Sequence, residues 1–184
     1  MPAMPAPALP YAGLLLRPFA DADADAFTAA VVESVVSVSP WMPWCVSDYS
    51  AADALEWFAA CRAGQAAGTA CEYGIFCERS GDFLGGAGLN DIRAQHRFCN
   101  LGYWVRQSRQ RQGVATCCVQ ALSAHAFGAL GLQRVEIVVA VGNTASMAVA
   151  TKCGARDERI ARNRLCIGDT AVDAHVFALI PADA

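Results

Sequence analysis

The sequence predicts an α+β domain in which helices pack on a mixed, mostly antiparallel sheet. Three observations carry this. Residues 72–106 contain three short apolar segments separated by polar turns, which reads as a meander. Helix-period segments stand on either side of it, at about 21–36 and 50–64 before and at 114–130 and 143–154 after. The chain then closes on two strand-like runs, 160–166 and 172–180, about Gly168-Asp169.

Taken in order, Leu14–Leu16 is a short apolar strand stopped by Arg17-Pro18. Asp21-Ala-Asp-Ala-Asp25 supplies acids for a helix start, and the helix is expected to run to about Val36. Ser39–Trp44 is a proline-punctuated loop whose tryptophans either plug the core or line a cleft. Ser50-Ala-Ala-Asp53 has the form of a capping box and opens a second helix, which ends toward Gly64. Glu72–Glu78 and Phe83–Leu89 are strands joined by a turn at Arg79–Asp82. The Gly85-Gly86-Ala87-Gly88 run fits close backbone packing better than a dinucleotide loop, since no helix pattern follows it. Asn90–Arg97 is expected to be a polar connection, and Phe98–Arg106 the third strand. Ala115, Val119, Leu122, Ala126 and Leu130 fall on one face of the next helix, which Gly131 closes. Val135–Val141 is nearly all apolar, as in a strand covered on both faces. Gly142-Asn143-Thr144 turns into a last helix that ends at Gly154.

Composition narrows the function classes. A chain of 184 residues, 55% hydrophobic and 17% charged, fits one globular domain. The formal charge of −3 and the lack of a basic run argue against a nucleic-acid partner. No apolar run is long enough to span a membrane. The nine cysteines are odd in number and show no paired C-x-x-C spacing, so they read as reduced buried thiols rather than metal ligands. That composition implies a reducing, cytoplasmic setting. Residues 1–10, rich in Pro and Ala without a basic start, read as a flexible tail ahead of a single domain at 11–184.

The stretch Leu101-Gly-Tyr-Trp-Val-Arg-Gln-Ser-Arg-Gln-Arg-Gln-Gly113 feeds a strand through a turn into a helix start. Its second half, Gln110-Arg111-Gln112-Gly113-Val114-Ala115, matches Q/R-x-x-G-x-G/A. A pyrophosphate must come close to backbone N–H groups there, and a side chain at position 113 would block it. Read alone, the pattern also fits an ordinary strand–helix turn with a solvated Arg/Gln face.

This stretch is followed by Phe127-Gly-Ala-Leu-Gly-Leu-Gln-Arg-Val-Glu-Ile137, Asn143-Thr-Ala-Ser146 and Val149-Ala-Thr-Lys-Cys-Gly-Ala155. The succession resembles the GNAT superfamily of acyl-CoA-dependent N-acetyltransferases. Leu14-Leu-Leu-Arg-Pro-Phe19 and Trp41-Met-Pro-Trp44 are similar to the opening segments of its RimJ/RimL group, the ribosomal-protein N-terminal acetyltransferases. The resemblance runs from about Leu14 to Pro181. It implies helices on both faces of the sheet and a splayed central strand pair, with acetyl-CoA as co-substrate in the split. It also assigns roles. Trp104, Val105 and Arg106 offer backbone groups to pantetheine, and Gln110, Arg111, Gln112, Gly113, Val114, Ala115 and Thr116 cradle the pyrophosphate. Asn143 contacts the cofactor arm. Many members use a Tyr on the last helix as the acid that protonates the leaving thiolate; that position falls near Ala150 here, and Ser146 is the substitute, with a bound water as its rival. Ser146 also fits a capping hydroxyl.

The base is less determined. Relatives often carry Glu where this chain has Asn100, which takes no proton at neutral pH. Glu136, an acid in an apolar strand, is the first candidate base, although a structural pair with Arg134 or Arg164 is the alternative. Glu72 is the second. Trp41, Trp44 and Asn90 are assigned to the acceptor wall. The implied reaction moves acetyl to a primary amine, first among candidates a protein N-terminus. A small amine such as a polyamine, amino acid or drug is the alternative acceptor, and a non-catalytic acyl-CoA-binding module the alternative role. A homodimer is left open.

Overall fold

The structure is a computed structural model that describes residues 6–181. Its eight strands are β1 (Leu9–Tyr11), β2 (Leu14–Arg17), β3 (Cys71–Cys77), β4 (Phe83–Arg93), β5 (Phe98–Val105), β6 (Arg134–Ala140), β7 (Arg156–Ile167) and β8 (Thr170–Leu179). They form one sheet in the order β1-β2-β3-β4-β5-β6-β8-β7. Every neighbouring pair is antiparallel except β5 and β6. The helices are α1 (Ala24–Glu33), α2 (Val35–Val38), α3 (Ala51–Ala66), α4 (Val114–Gly128) and α5 (Thr144–Lys152). None among the described residues is long and apolar enough to cross a membrane.

Period-two alternation sends the side chains of the sheet to two cores. On one face Tyr73, Ile75, Leu89 and Leu101 meet Val119 and Leu122 of α4. On the other, Phe76, Phe83 and Trp104 meet Phe27 of α1 and Phe58 of α3. The helices thus lie on both faces, as expected.

The parallel pair β5–β6 is short. Phe98, Cys99 and Asn100 are in register with Arg134, Val135 and Glu136, and pairing stops there. From Leu101 and Ile137 onward the strands part, leaving the β6-facing edge of β5 open toward its C-terminal end. This is the splayed pair that the resemblance implies.

Several local expectations are corrected. Of the flexible tail over 1–10, residues 1–5 lie outside the described residues, while Leu9 and Pro10 belong to β1. Leu9 pairs with Leu16 and packs on the core, and Ala12 and Gly13, both at positive φ, make the tight two-residue hairpin turn. The helix expected to reach Val36 breaks at Ser34, whose buried hydroxyl donates to the Ala30 carbonyl at 2.6 Å and accepts from the Gln107 N–H at 3.0 Å. Asp23 does not cap α1. Its carboxylate turns back to the Ala20 N–H and takes two hydrogen bonds from Arg17, at 2.7 and 2.8 Å. Asn90–Arg93, read as a connection, continue β4 through a bulge at Asp91, which has φ 49°. In β6 only Val135, Ile137, Val139 and Ala140 are buried, so one face is covered better than the other. The capping box at Ser50 and Asp53 forms as read, with Ser50 N–H donating to Asp53 at 2.8 Å.

Candidate active site

The end of β5 leads through a 3-10 turn (Gln107–Arg109) into α4. Arg111 (φ 59°) and Gly113 (φ 82°) both take left-handed backbone, which folds the loop back over the helix start. The Cys117 N–H donates to the Gly113 carbonyl at 3.0 Å. The N–H groups of Val114, Ala115 and Thr116 therefore precede any intrahelical acceptor and point out of the helix end, where the dipole is positive. A Cβ built at Gly113 would meet no atom within 4 Å, so the space in front of the loop is open.

Most side chains of this loop turn inward and leave the backbone as the presenting surface. Arg106 is ion-paired with Glu33 of α1 and donates to the Phe83 carbonyl at 3.2 Å. The same carboxylate accepts from the Ser108 N–H at 2.7 Å, and it is held down to about 2 chiefly by its hydrogen bonds from Arg106. Gln110 donates to Ser37 and to the Val105 carbonyl, both at 3.1 Å, and Gln112 donates to the Ser108 carbonyl at 3.1 Å. Arg111 is exposed and has no ion pair among the described residues.

Across the split, the Asn143 side chain caps α5 by accepting from the Ser146 N–H at 3.2 Å. Ser146 is therefore the capped residue, not the cap. Its hydroxyl lies 2.9 Å from the hydroxyl of Tyr103 on β5. Burial pushes the Tyr103 phenol up to about 12, so it stays a neutral proton donor at physiological pH.

The opposite face of the sheet carries a cavity of about 360 Å³, walled by aromatic side chains and floored by backbone at Gly86 and Gly102. Glu72 projects into it from β3. Burial raises this carboxyl to about 7, against the opposing effect of a hydrogen bond from Asn90. Asn90 donates to Glu72 at 3.4 Å and accepts from Asn100 at 2.9 Å, so the three side chains form a chain across β5, β4 and β3. The Glu72 side chain lies flat over Gly88, its register partner. A Cβ there would stand 1.8 Å from the carboxylate oxygen.

A family model described as the acetyltransferase (GNAT) domain matches residues 13–156. The chain belongs to the GNAT acetyltransferase family. Over 91% of this chain and 93% of its own length, the uncharacterised N-acetyltransferase YoaA of Bacillus subtilis is 26% identical. The ribosomal-protein-serine acetyltransferase of Escherichia coli is 29% identical over 54% of this chain and 55% of that protein. Among solved structures, Mycobacterium smegmatis RimJ in complex with CoA-disulfide superposes with a TM-score of 0.86 and 26% identity, covering 97% of this chain and 89% of that one.

This GNAT protein is an N-acetyltransferase that draws its acyl group from acetyl-CoA. Its residues fit that co-substrate, because the helix-end N–H groups, the open space at Gly113 and the unpaired edge of β5 lie in succession along one side of the split. The family motif as read in the sequence includes Arg106 and Gln110. In the structure their side chains are spent on Glu33, Ser37 and Val105, which leaves their backbone for any ligand contact.

Of the acceptor-wall residues expected from the sequence, Trp44 and Asn90 line the cavity. Trp41 is not among its lining residues and lies near Gly142, at the turn into α5. Glu136, the first candidate base, also stands apart from the lining. Arg134 holds its carboxylate at 2.9 Å and grips Glu158 with the rest of its guanidinium, at 2.7 and 3.0 Å. Glu136 thus fits the structural alternative, and Glu72 is the acid that faces the cavity. Tyr103, Tyr49 and Trp57 were not singled out. The Leu-Gly-Tyr segment was a usable signal for Tyr103, whereas nothing local in sequence places Trp57 of α3 over β4.

Proposed function

We propose that this GNAT protein acetylates a protein N-terminal α-amine, acting as one domain that includes β1. One arrangement carries the reading. A proton donor pair, Tyr103 and Ser146, and a proton acceptor, Glu72, flank the same unpaired stretch of β5 from opposite faces of the sheet. The relatives named for ribosomal-protein acetylation support the choice of acceptor. All nine cysteines are free thiols, which suits the cytoplasm, where acetyl-CoA and ribosomal proteins occur together. Every group invoked comes from one chain, so the reading requires no second copy.

Acetyl-CoA supplies the activated acetyl thioester. The chain's own groups handle the protons. Glu72 removes the ammonium proton of the acceptor. The freed nitrogen bonds to the acetyl carbon and the carbon–sulfur bond breaks. When Tyr103 donates to the Ser146 oxygen, the serine's own proton is free to go to the departing sulfur. The nitrogen loses two protons in becoming an amide: one goes to Glu72, which returns it to solvent, and the other passes to the Ser146 oxygen, replacing the proton that the serine gave to sulfur. Asn143 fixes Ser146 by capping its helix, and the cradle at Gln110–Thr116 anchors the donor.

The test is release of free thiol that depends on both acetyl-CoA and an N-terminal peptide, with the acetyl group located by mass spectrometry on the α-amine. Absence of turnover across a broad peptide panel, alongside acetylation of small amines, would replace this acceptor with the small-amine alternative.

A further inference from the structure

We infer that the cavity above β4 and β5 selects its acceptor by a large apolar side chain on the amine-bearing residue, with Glu72 receiving the ammonium group. This rests on the reading that the cavity takes the acceptor, and it goes further by naming what the acceptor carries.

The lining is almost wholly apolar. Phe27, Trp44, Tyr49, Trp57 and Trp104 form its walls. Three polar side chains reach it: Glu72, Asn90 and Tyr49. Asn90 is already engaged between Asn100 and Glu72, and Tyr103 borders the floor from β5 with its hydroxyl turned to Ser146 on the other face. An acceptor with a hydroxyl or carboxylate side chain would desolvate that group against aromatic faces and recover little hydrogen bonding. An apolar side chain loses nothing there and gains buried area.

Charge and size agree with this choice. The one carboxylate of the lining complements an ammonium, and aromatic faces around it add cation–π attraction. The volume of about 360 Å³ sits at the low end of the roughly 300–1,000 Å³ of small-molecule pockets. It admits one amine-bearing residue and no folded segment. Trp44 and Trp57, each 41% exposed, form the outer wall, where the side chain of an entering residue would lie.

The test is kcat/KM for peptides that differ only in the first residue: Phe, Leu and Met against Ser, Gly and Asp. The apolar set should lead by about 10- to 100-fold, the discrimination typical of a hydrophobic pocket. In Trp44→Ala and Trp57→Ala the ratio of Phe to Ser should fall to about 3-fold or less, while calorimetry shows unchanged CoA affinity and so an intact fold. Equal rates, or a preference for Ser or Asp, would overturn the inference and leave N-terminal acetylation standing. Turnover of phenylalkylamines without turnover of any peptide would do the reverse: the apolar amine stands and the N-terminal acceptor falls. Ratios unmoved by both tryptophan substitutions would place selection elsewhere and refute this wall.

Discussion

The Tyr103 hydroxyl stands 2.9 Å from the Ser146 hydroxyl, joining β5 to α5 across the split where the central strands part. In the proposed mechanism these two neutral hydroxyls, 43 residues apart in sequence, serve the departing thiolate. Removing either should affect the chemical step more than binding. Ser146→Ala is expected to lower kcat about 100-fold, the low end for a positioned acid–base group, and Tyr103→Phe less, about 10-fold, because it acts only through Ser146. CoA affinity by calorimetry should change less than about 3-fold in both. Wild-type kcat in Ser146→Ala would remove serine from the mechanism and leave solvent as the acid.

Glu72 sets a pH dependence. Its carboxyl is pushed up by burial to about 7, so kcat/KM should rise with pH and level off above about 7. In Glu72→Gln that limb should disappear along with most of the activity. Stability runs the other way. A folded-state pKa above the unfolded value means that the native state binds the extra proton between about 4.5 and 7. Glu72 therefore makes stability fall with rising pH across that window, and the Gln variant should lose that part of the slope in denaturant titrations.

Gly88→Ala tests the same group without replacing it. The added methyl would sit 1.8 Å from the Glu72 carboxylate oxygen and 2.2 Å from its carboxyl carbon. The side chain must leave its position over the strand, so the pH limb near 7 should move or vanish while CoA still binds. An unaltered pH profile in this variant would show that the orientation of Glu72 does not matter to the reaction.

At the cradle, Gly113→Val should weaken CoA binding by at least 10-fold. The open space in front of Gly113 would be filled, and the φ of 82° would be strained for a β-branched residue. Gly113→Asn separates the two effects, because Asn tolerates left-handed backbone better while still adding bulk. A folded variant with unchanged CoA affinity would move the phosphates to another site.

The Arg106–Glu33 pair ties the cradle to α1, and Glu33→Gln should cost about 1 kcal/mol of stability near neutral pH. Because Glu33 is held well below the ordinary 4.5, at about 2, its contribution is present above 4.5 and is lost as pH falls toward 2. Chemical denaturation of both proteins should therefore converge over that interval.

How much of this could be read from residues alone depends on the range of the contact. The strand–turn–helix at Leu101–Gly113 was legible because a left-handed glycine before an apolar helix is a local necessity. The capping box at Ser50 was equally local. β1 was missed because Ala12-Gly13 is a weak turn signal, and only pairing with β2 makes Leu9 a strand residue. The bulge at Asp91 hid the extension of β4 by breaking its alternation. At the site, Ser146 was reachable through its spacing from Asn143. Glu136 drew attention as an acid in an apolar strand, yet Arg134 two residues earlier on the same face neutralises it. In sequence Glu72 is only the second candidate base. It becomes a buried acid only when Gly88, Asn90 and the aromatic wall from α1 and α3 are brought over it.

The cavity floor includes the backbone of Gly86 and Gly102, with the Trp104 indole packed on Gly86, while its outer wall comes from residues 42–57. The donor side is built from residues 101–146, a separate block of sequence. With the acceptor in this cavity, as proposed, exchange of the early segment between relatives would be a modular way to retarget the enzyme. A chimera with a foreign 39–57 segment would keep its appetite for acetyl-CoA and acquire a different acceptor, which gives gene duplicates of this architecture a short route to new amines.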